Sequence, residues 1–150
     1  MPRIAPSDLL SLRESPLWWR WSEERASPLS PEVIGRMRAI RPERAAELQP
    51  RAAFLCHERR ALDVEIAAEG NAERVREQLA ALGVRNTEQV VICWNAQTAV
   101  LTDWATFCAH WDEFCYPSSD DVTVWPRDEG WVLCYDHWEM FRFGRLSPVT

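Results

Sequence analysis

Asp121-Val122-Thr123-Val124-Trp125, Trp131-Val132-Leu133-Cys134-Tyr135 and Glu139-Met140-Phe141-Arg142-Phe143 are three short apolar runs rich in β-branched and aromatic residues. Pro126 to Gly130 separates the first two, Asp136-His137-Trp138 separates the last two, and Gly144 closes the third. Runs of this length between turn-forming residues predict strands, and links this short predict an antiparallel meander. If one face of that meander lies on helices, alternate residues point outward. Three such strands cannot bury every aromatic ring, and Trp125 and Trp138 are the candidates for exposure.

Working upstream, Asp103 is placed to cap a helix whose apolar positions are Trp104, Phe107, Cys108, Trp111 and Phe114. That spacing follows one helical face, so these rings are predicted core, with Asp112 and Glu113 toward water. Gln89 to Trp94 and Thr98 to Leu101 are strand-like and flank Asn95-Ala96-Gln97, which predicts a hairpin. Asn71 caps a helix carrying Val75, Leu79 and Leu82, and Gly83 supplies its left-handed stop. Leu62 to Ile66 alternates apolar and acidic residues as a half-buried strand does, although the neighbouring alanines suit a helix as well.

The first half reads as helical. Ser30-Pro31-Glu32 is a helix start, predicted to run through Val33, Ile34, Met37 and Ile40 to Pro42. A second helix spans Pro42 to Leu48 and ends at Pro50, and residues 51–60 follow as another, with Phe54 and Leu55 inward. Residues 1–30 form a docked arm in which Ser7 caps a short helix through Leu9, Leu10 and Leu12. Its Trp18, Trp19 and Trp21 fit no single helix or strand face, so some are expected to be half exposed. The expected fold is α+β: a single domain, 1–150, with N-terminal helices packed on an antiparallel sheet built from the 89–101 hairpin and the 121–144 meander.

Charge divides the chain. Residues 1–60 hold eleven arginines against eight acids, whereas residues 61–150 hold six against fifteen. All seventeen basic side chains are arginine, which a GC-rich coding sequence explains without any function. Nine acids lie between Asp103 and Glu139, with Arg127 the one arginine among them. Phosphates would be repelled there, so nucleic acid is not expected as a partner. No apolar run suits a signal peptide or a membrane span, which leads to the expectation of a soluble cytoplasmic protein. Cys56, Cys93, Cys108, Cys115 and Cys134 form no CxxC pair and sit mostly in apolar patterns, so reduced, buried thiols are expected.

The catalytic motifs searched for are absent: Walker A, GxGxxG, GxSxG and HExxH. Asp120, Asp121, Asp136, His137 and Glu139 have the chemistry of a divalent-metal or acid/base site but no recognised ligand spacing. Cys108 and His110 diverge by about 200° on a helix and cannot share a zinc ion. Cys134 and His137 fall on opposite strand faces unless a bulge intervenes, which weakens a thiol–imidazole nucleophile. No cofactor and no metal is therefore expected. A protein-binding face fits better, because exposed aromatic rings supply contact area and carboxylates steer basic partners.

The run from Tyr116-Pro117-Ser118-Ser119-Asp120-Asp121 through Trp131 to Gly144 resembles the ends of small bacterial immunity-type proteins, in which a strand pair with a W-x-L-x-Y-x-H core closes an α+β domain. The resemblance spans about residues 89–145. It implies a cytoplasmic protein that neutralises a cognate toxin, with a basic face, by masking its active site. The expected partner-binding residues are Asp120, Asp121, Trp125, Asp128, Glu129, Asp136, His137, Trp138 and Glu139. The alternatives are a small metal-assisted hydrolase using Asp120, Asp121 and His137, or a general interaction module. The oligomeric state is left open.

Overall fold

Val90, Val91, Ile92 and Cys93 are consecutive and all buried, although successive strand residues point to opposite faces. A strand of that kind needs cover on both sides. The computed structural model, which describes residues 3–22, 24–25, 29–57, 64–95 and 97–145, supplies it. The strand is β4 (Gln89–Asn95), and it lies inside one antiparallel sheet. In chain order the other strands are β1 (Leu9–Leu10), β2 (Arg38–Ile40), β3 (Val64–Ala67), β5 (Thr98–Asp103), β6 (Val122–Pro126), β7 (Trp131–Asp136) and β8 (Met140–Arg145). Across the sheet their order is β1-β2-β5-β4-β6-β7-β8-β3.

Strand parity separates two cores. Val90, Ile92, Val100, Val124, Leu133 and Phe141 join one, with Val75 and Leu79 of α3 (Ala72–Ala80), Trp104 and Phe107 of α4 (Trp104–Ala109), and Trp111 and Phe114 of α5 (Trp111–Phe114). Val91, Cys93, Ala99, Leu101, Trp125 and Val132 join the other, with Ala45, Leu48, Ala52 and Leu55 of α2 (Pro42–His57). The side chains of Asn71 and Asp103 accept from the first turns of α3 and α4, as expected of N-caps.

This architecture corrects the expected one. Instead of N-terminal helices on a sheet of hairpin plus three-stranded meander, an eight-stranded sheet dominates and most helices are short. The N-terminal half contributes strands. The helix begun at Ser30 stops after one turn, α1 (Pro31–Ile34), and Arg38–Ile40 pairs with Leu101 to Ala99. Without that strand the outer edge of β5 would leave buried backbone groups unpaired. Leu9–Leu10, expected as helix, pairs with Ile40 and Ala39 for the same reason. The outermost strands are closed by arginine: Arg38 donates to the Leu10 carbonyl at 3.1 Å, and Arg74 to the Ala67 carbonyl at 2.7 Å.

Pro50 does not stop α2, which passes through it to His57. An interior proline costs about 3 kcal/mol. Burying a leucine is worth roughly 1.5–3 kcal/mol, and the helix buries Leu48 before the proline and Leu55 after it. Phe54, expected inward, is exposed under the guanidinium of Arg51. The last three residues of the helix expected over 51–60 and the first two of the strand expected over Leu62 to Ile66 lie outside the described residues.

Cys56 and Cys134 overturn the expectation of reduced thiols: they form a disulfide, with Cα atoms 6.1 Å apart. The last turn of α2 lies over the face of β7 that also carries Val132, a juxtaposition of residues 78 apart that no local pattern discloses. Cys93, Cys108 and Cys115 are buried thiols, as expected. Closing so long a loop is worth about 2–4 kcal/mol. Reduction, or Cys134→Ser, is expected to lower urea-unfolding stability by that amount; an unchanged midpoint would show that the bond constrains nothing.

Asp8 is buried and accepts from the Ala5 amide at 2.8 Å, from Arg41 at 3.0 Å and from Arg44 at 3.1 Å. The Ala5 amide, then Arg41 and Arg44, hold its carboxyl below the usual value, against an opposing contribution from burial. A depressed folded-state pKa stabilises above the unfolded value and stops doing so as pH falls through the folded one. The stability gap between wild type and Asp8→Asn is therefore expected to narrow as acid titrates Asp8, and a gap independent of pH would refute this.

Candidate functional site

The turn between β7 and β8 is three residues long, because Asp136 pairs with Met140. Such hairpins place their third residue in the left-handed region. Glu139 occupies it with φ of +61°, where glycine is the favoured residue. Asp136 stabilises the turn, its Oδ1 accepting from the Trp138 amide at 2.9 Å and its Oδ2 from Arg142 at 2.9 Å. Asp121, just before β6, accepts from the His137 amide at 3.1 Å and lies 3.0 Å from His137 Nδ1. Trp138 projects from this turn 79% exposed, its ring beside that of His137.

Beside the turn, the Ser118 amide donates to the His137 carbonyl, and Ser118 too is left-handed, with φ of +67°. The loop containing it is held from below by a buried ion pair. Arg20 donates to both oxygens of Asp120, at 2.7 and 3.0 Å, while Asp120 also accepts from the Tyr116 amide at 2.8 Å. The Arg20 guanidinium lies 4.0 Å from the centre of the Tyr116 ring. Trp19 meets that ring edge-on and is 57% exposed. Arg25 bonds to Glu113 and to the Tyr116 hydroxyl. The Trp19–Tyr116 and His137–Trp138 ring pairs thus flank one loop, joined through the Ser118 bond to the His137 carbonyl, with Asp121, Asp136 and Glu139 beside the second pair.

The structure divides the expected binding residues. Asp121, Asp136, His137, Trp138 and Glu139 come together. Asp120 is buried and committed to Arg20, so it offers no charge to a partner. Trp125, expected to be exposed, is fully buried beneath α2, because its parity is that of Val91 and Val132. Asp128 and Glu129 lie in the turn at the opposite end of β6 and β7, about 17 Å away at strand rise. Glu129, also left-handed, is clasped there by Arg51. Trp19 and Tyr116 flank the same loop unforeseen. The irregularity of the Trp18-Trp19-Trp21 run was the one hint: a 3-10 turn sends Trp21 to the core, leaves Trp18 half-buried and turns Trp19 outward.

The catalytic alternatives lose their geometry. Asp120 is held away from Asp121 and His137 by Arg20, and among the described residues no three His, Cys, Asp or Glu side chains cluster as metal ligands would. Cys134 is bonded to Cys56, which removes the thiol from any pairing with His137. Burial pushes Cys93 and Cys108 up to about 12 and Cys115 well above the usual thiol range, so none is a ready thiolate.

Between the end of α2 and the ends of β6, β7 and β8 lies a cavity of about 230 Å³. Ala53, the two bonded cysteines and Thr123 line it, and Asp121, Asp136 and Arg142 stand around it. No family model matches the chain, and no curated protein or solved structure shows significant similarity to it.

Asp120→Asn is expected to destabilise the fold by about 3–5 kcal/mol, because it strands the buried guanidinium of Arg20. Trp138→Ala, which removes an unpacked ring, is expected to change stability by less than about 0.5 kcal/mol. Urea denaturation of both variants checks the pair; equal losses would mean that Trp138 is structural.

Proposed function

We propose that this chain is a non-catalytic inhibitor that binds a basic protein through the His137–Trp138 end of its sheet. The observation that carries this is the exposure of Trp138 on a turn fixed by four side-chain hydrogen bonds, two accepted by Asp136 and two by Asp121. An exposed indole on a fixed turn supplies hot-spot area, and the surrounding carboxylates steer a cationic partner. Ser118 and Glu139 at this end are left-handed, as Glu129 is at the opposite turn.

The class of partner rests on the resemblance of the C-terminal run to immunity-type proteins: a bacterial toxin whose active site is masked. The cytoplasm is part of the same proposal. No helix among the described residues is long and apolar enough to cross a membrane. A persistent disulfide belongs to oxidising compartments, so in the cytoplasm Cys56 and Cys134 would be held as thiols.

Tagged protein exposed to lysates of the source organism and its competitors is expected to retain a basic protein that Trp138→Ala releases. Trp138→Ala is expected to weaken that complex by about 2 kcal/mol, or thirtyfold, and Asp121→Arg to slow association by about tenfold at low salt. Co-expression should relieve toxicity of the captured protein. Capture that is indifferent to both substitutions would overturn the proposal, and capture of a harmless basic protein would replace the toxin with another partner.

A further inference from the structure

We infer that the cavity beside the Trp138 turn is the seat of one arginine side chain of the partner, an inference that rests on the docking surface proposed above. Its size is the first argument. At about 230 Å³ it falls below the roughly 300–1,000 Å³ that drug-sized ligands occupy, and it suits a single long side chain.

The chemistry of its walls is the second. The α2 side of the cavity is apolar, made by Ala53 and the sulfurs of Cys56 and Cys134, which matches a methylene stem. Carboxylates outnumber cations around it: Asp121 and Asp136 stand against Arg142. Arg142 and Asp136 neutralise each other at 2.9 Å, and Arg142 also reaches Glu65 at 3.4 Å, so the uncommitted charge at the cavity is that of Asp121. Both contacts that Asp121 makes fall on Oδ1, so Oδ2 remains open among the described residues. Gln49 also lines the cavity. The open oxygen of Asp121 is an acceptor, and an incoming group must bring donors. An apolar side beside an open carboxylate is the complement of a basic side chain, which carries an apolar stem and a charged head.

Position is the third argument. Asp121 and Asp136 belong at once to the cavity and to the turn that presents His137 and Trp138. A side chain entering the cavity therefore brings its own backbone against those rings. A guanidinium is favoured over an ammonium because its planar fork pairs with carboxylates and its face stacks on aromatic rings. It provides for the partner what Arg20 already provides inside this fold, where a guanidinium bridges Asp120 and the Tyr116 ring.

The test is a titration of the isotope-labelled full chain with Nα-acetyl-arginine N-methylamide, followed by amide correlation spectra. The controls are the lysine derivative and the citrulline derivative, which keeps the shape of arginine without its charge. The arginine probe is expected to shift the amides of Thr123, Cys134 and His137 and the side-chain amide of Gln49, with at least about tenfold weaker binding by citrulline. Ala53→Met, which fills the cavity from the exposed side of α2, is expected to abolish those shifts. No shift with arginine, or equal responses to arginine and citrulline, overturns the inference; equal responses to arginine and lysine overturn the choice of guanidinium. Partner capture separates the two readings. If Ala53→Met captures normally while Trp138→Ala does not, the cavity is empty in the complex and the docking surface stands. If Trp138→Ala captures normally, the docking surface itself is wrong, whatever the arginine titration shows.

Discussion

Both faces of the central sheet are buried, and the rest of the molecule follows from that constraint. β4, β6 and β7 carry apolar residues at both parities, so each face requires a covering layer. α2 closes over Val91, Trp125 and Val132, while α3, α4 and α5 close over Ile92, Val124 and Leu133. With both faces covered, the middle of the sheet has no room for a site. Exposed chemistry is displaced to the strand ends, where turns leave side chains such as Trp138 largely open to water.

One of those ends is assembled across the whole chain. The Arg20–Asp120 pair spans one hundred residues and joins the N-terminal arm to the loop before β6. The end of α5 contributes to the same junction, because its last carbonyls have no partner within so short a helix. Trp21 Nε1 donates to the Glu113 carbonyl at 3.0 Å, and Trp94 Nε1 to the Phe114 carbonyl at 2.7 Å. The indoles fill the core with their rings and cap a helix with their N–H groups. Trp19 and Tyr116 reach the surface on top of that clasp.

Arginine serves as the cross-linking residue throughout. Arg51 clasps Glu129 across the far turn, Arg142 links Asp136 and Glu65 on neighbouring strands, and Arg38 and Arg74 close the sheet edges. A planar group with five donors can join two elements at fixed geometry, which a single ammonium does less well. Composition alone supports no function for the absence of lysine, yet the fold uses the arginines it has.

What the sequence determined by itself was local. Asn71 and Asp103 act as caps, and the runs at 89–95, 98–103 and 122–145 are strands, because side-chain period, capping geometry and turn chemistry act over a few residues. The same local grammar indicates a turn at Asp136 to Trp138; Glu139, expected to open the next strand, is instead the left-handed last residue of that turn. Everything that required two distant segments to meet was decided by the tertiary structure. Arg38–Ile40 is a strand because β5 needed a neighbour, and α2 crosses Pro50 because the sheet beneath it rewards burial. Trp125 is core and Trp138 is not, although both are tryptophans beside turns, because parity placed one under α2 while the other tops a turn. Asp120 and Asp121 are adjacent in sequence and opposite in fate: one neutralises a buried arginine from the first twenty residues, and the other faces water. Nothing within a few residues of either distinguishes them, since the difference is which distant side chain the fold brings alongside.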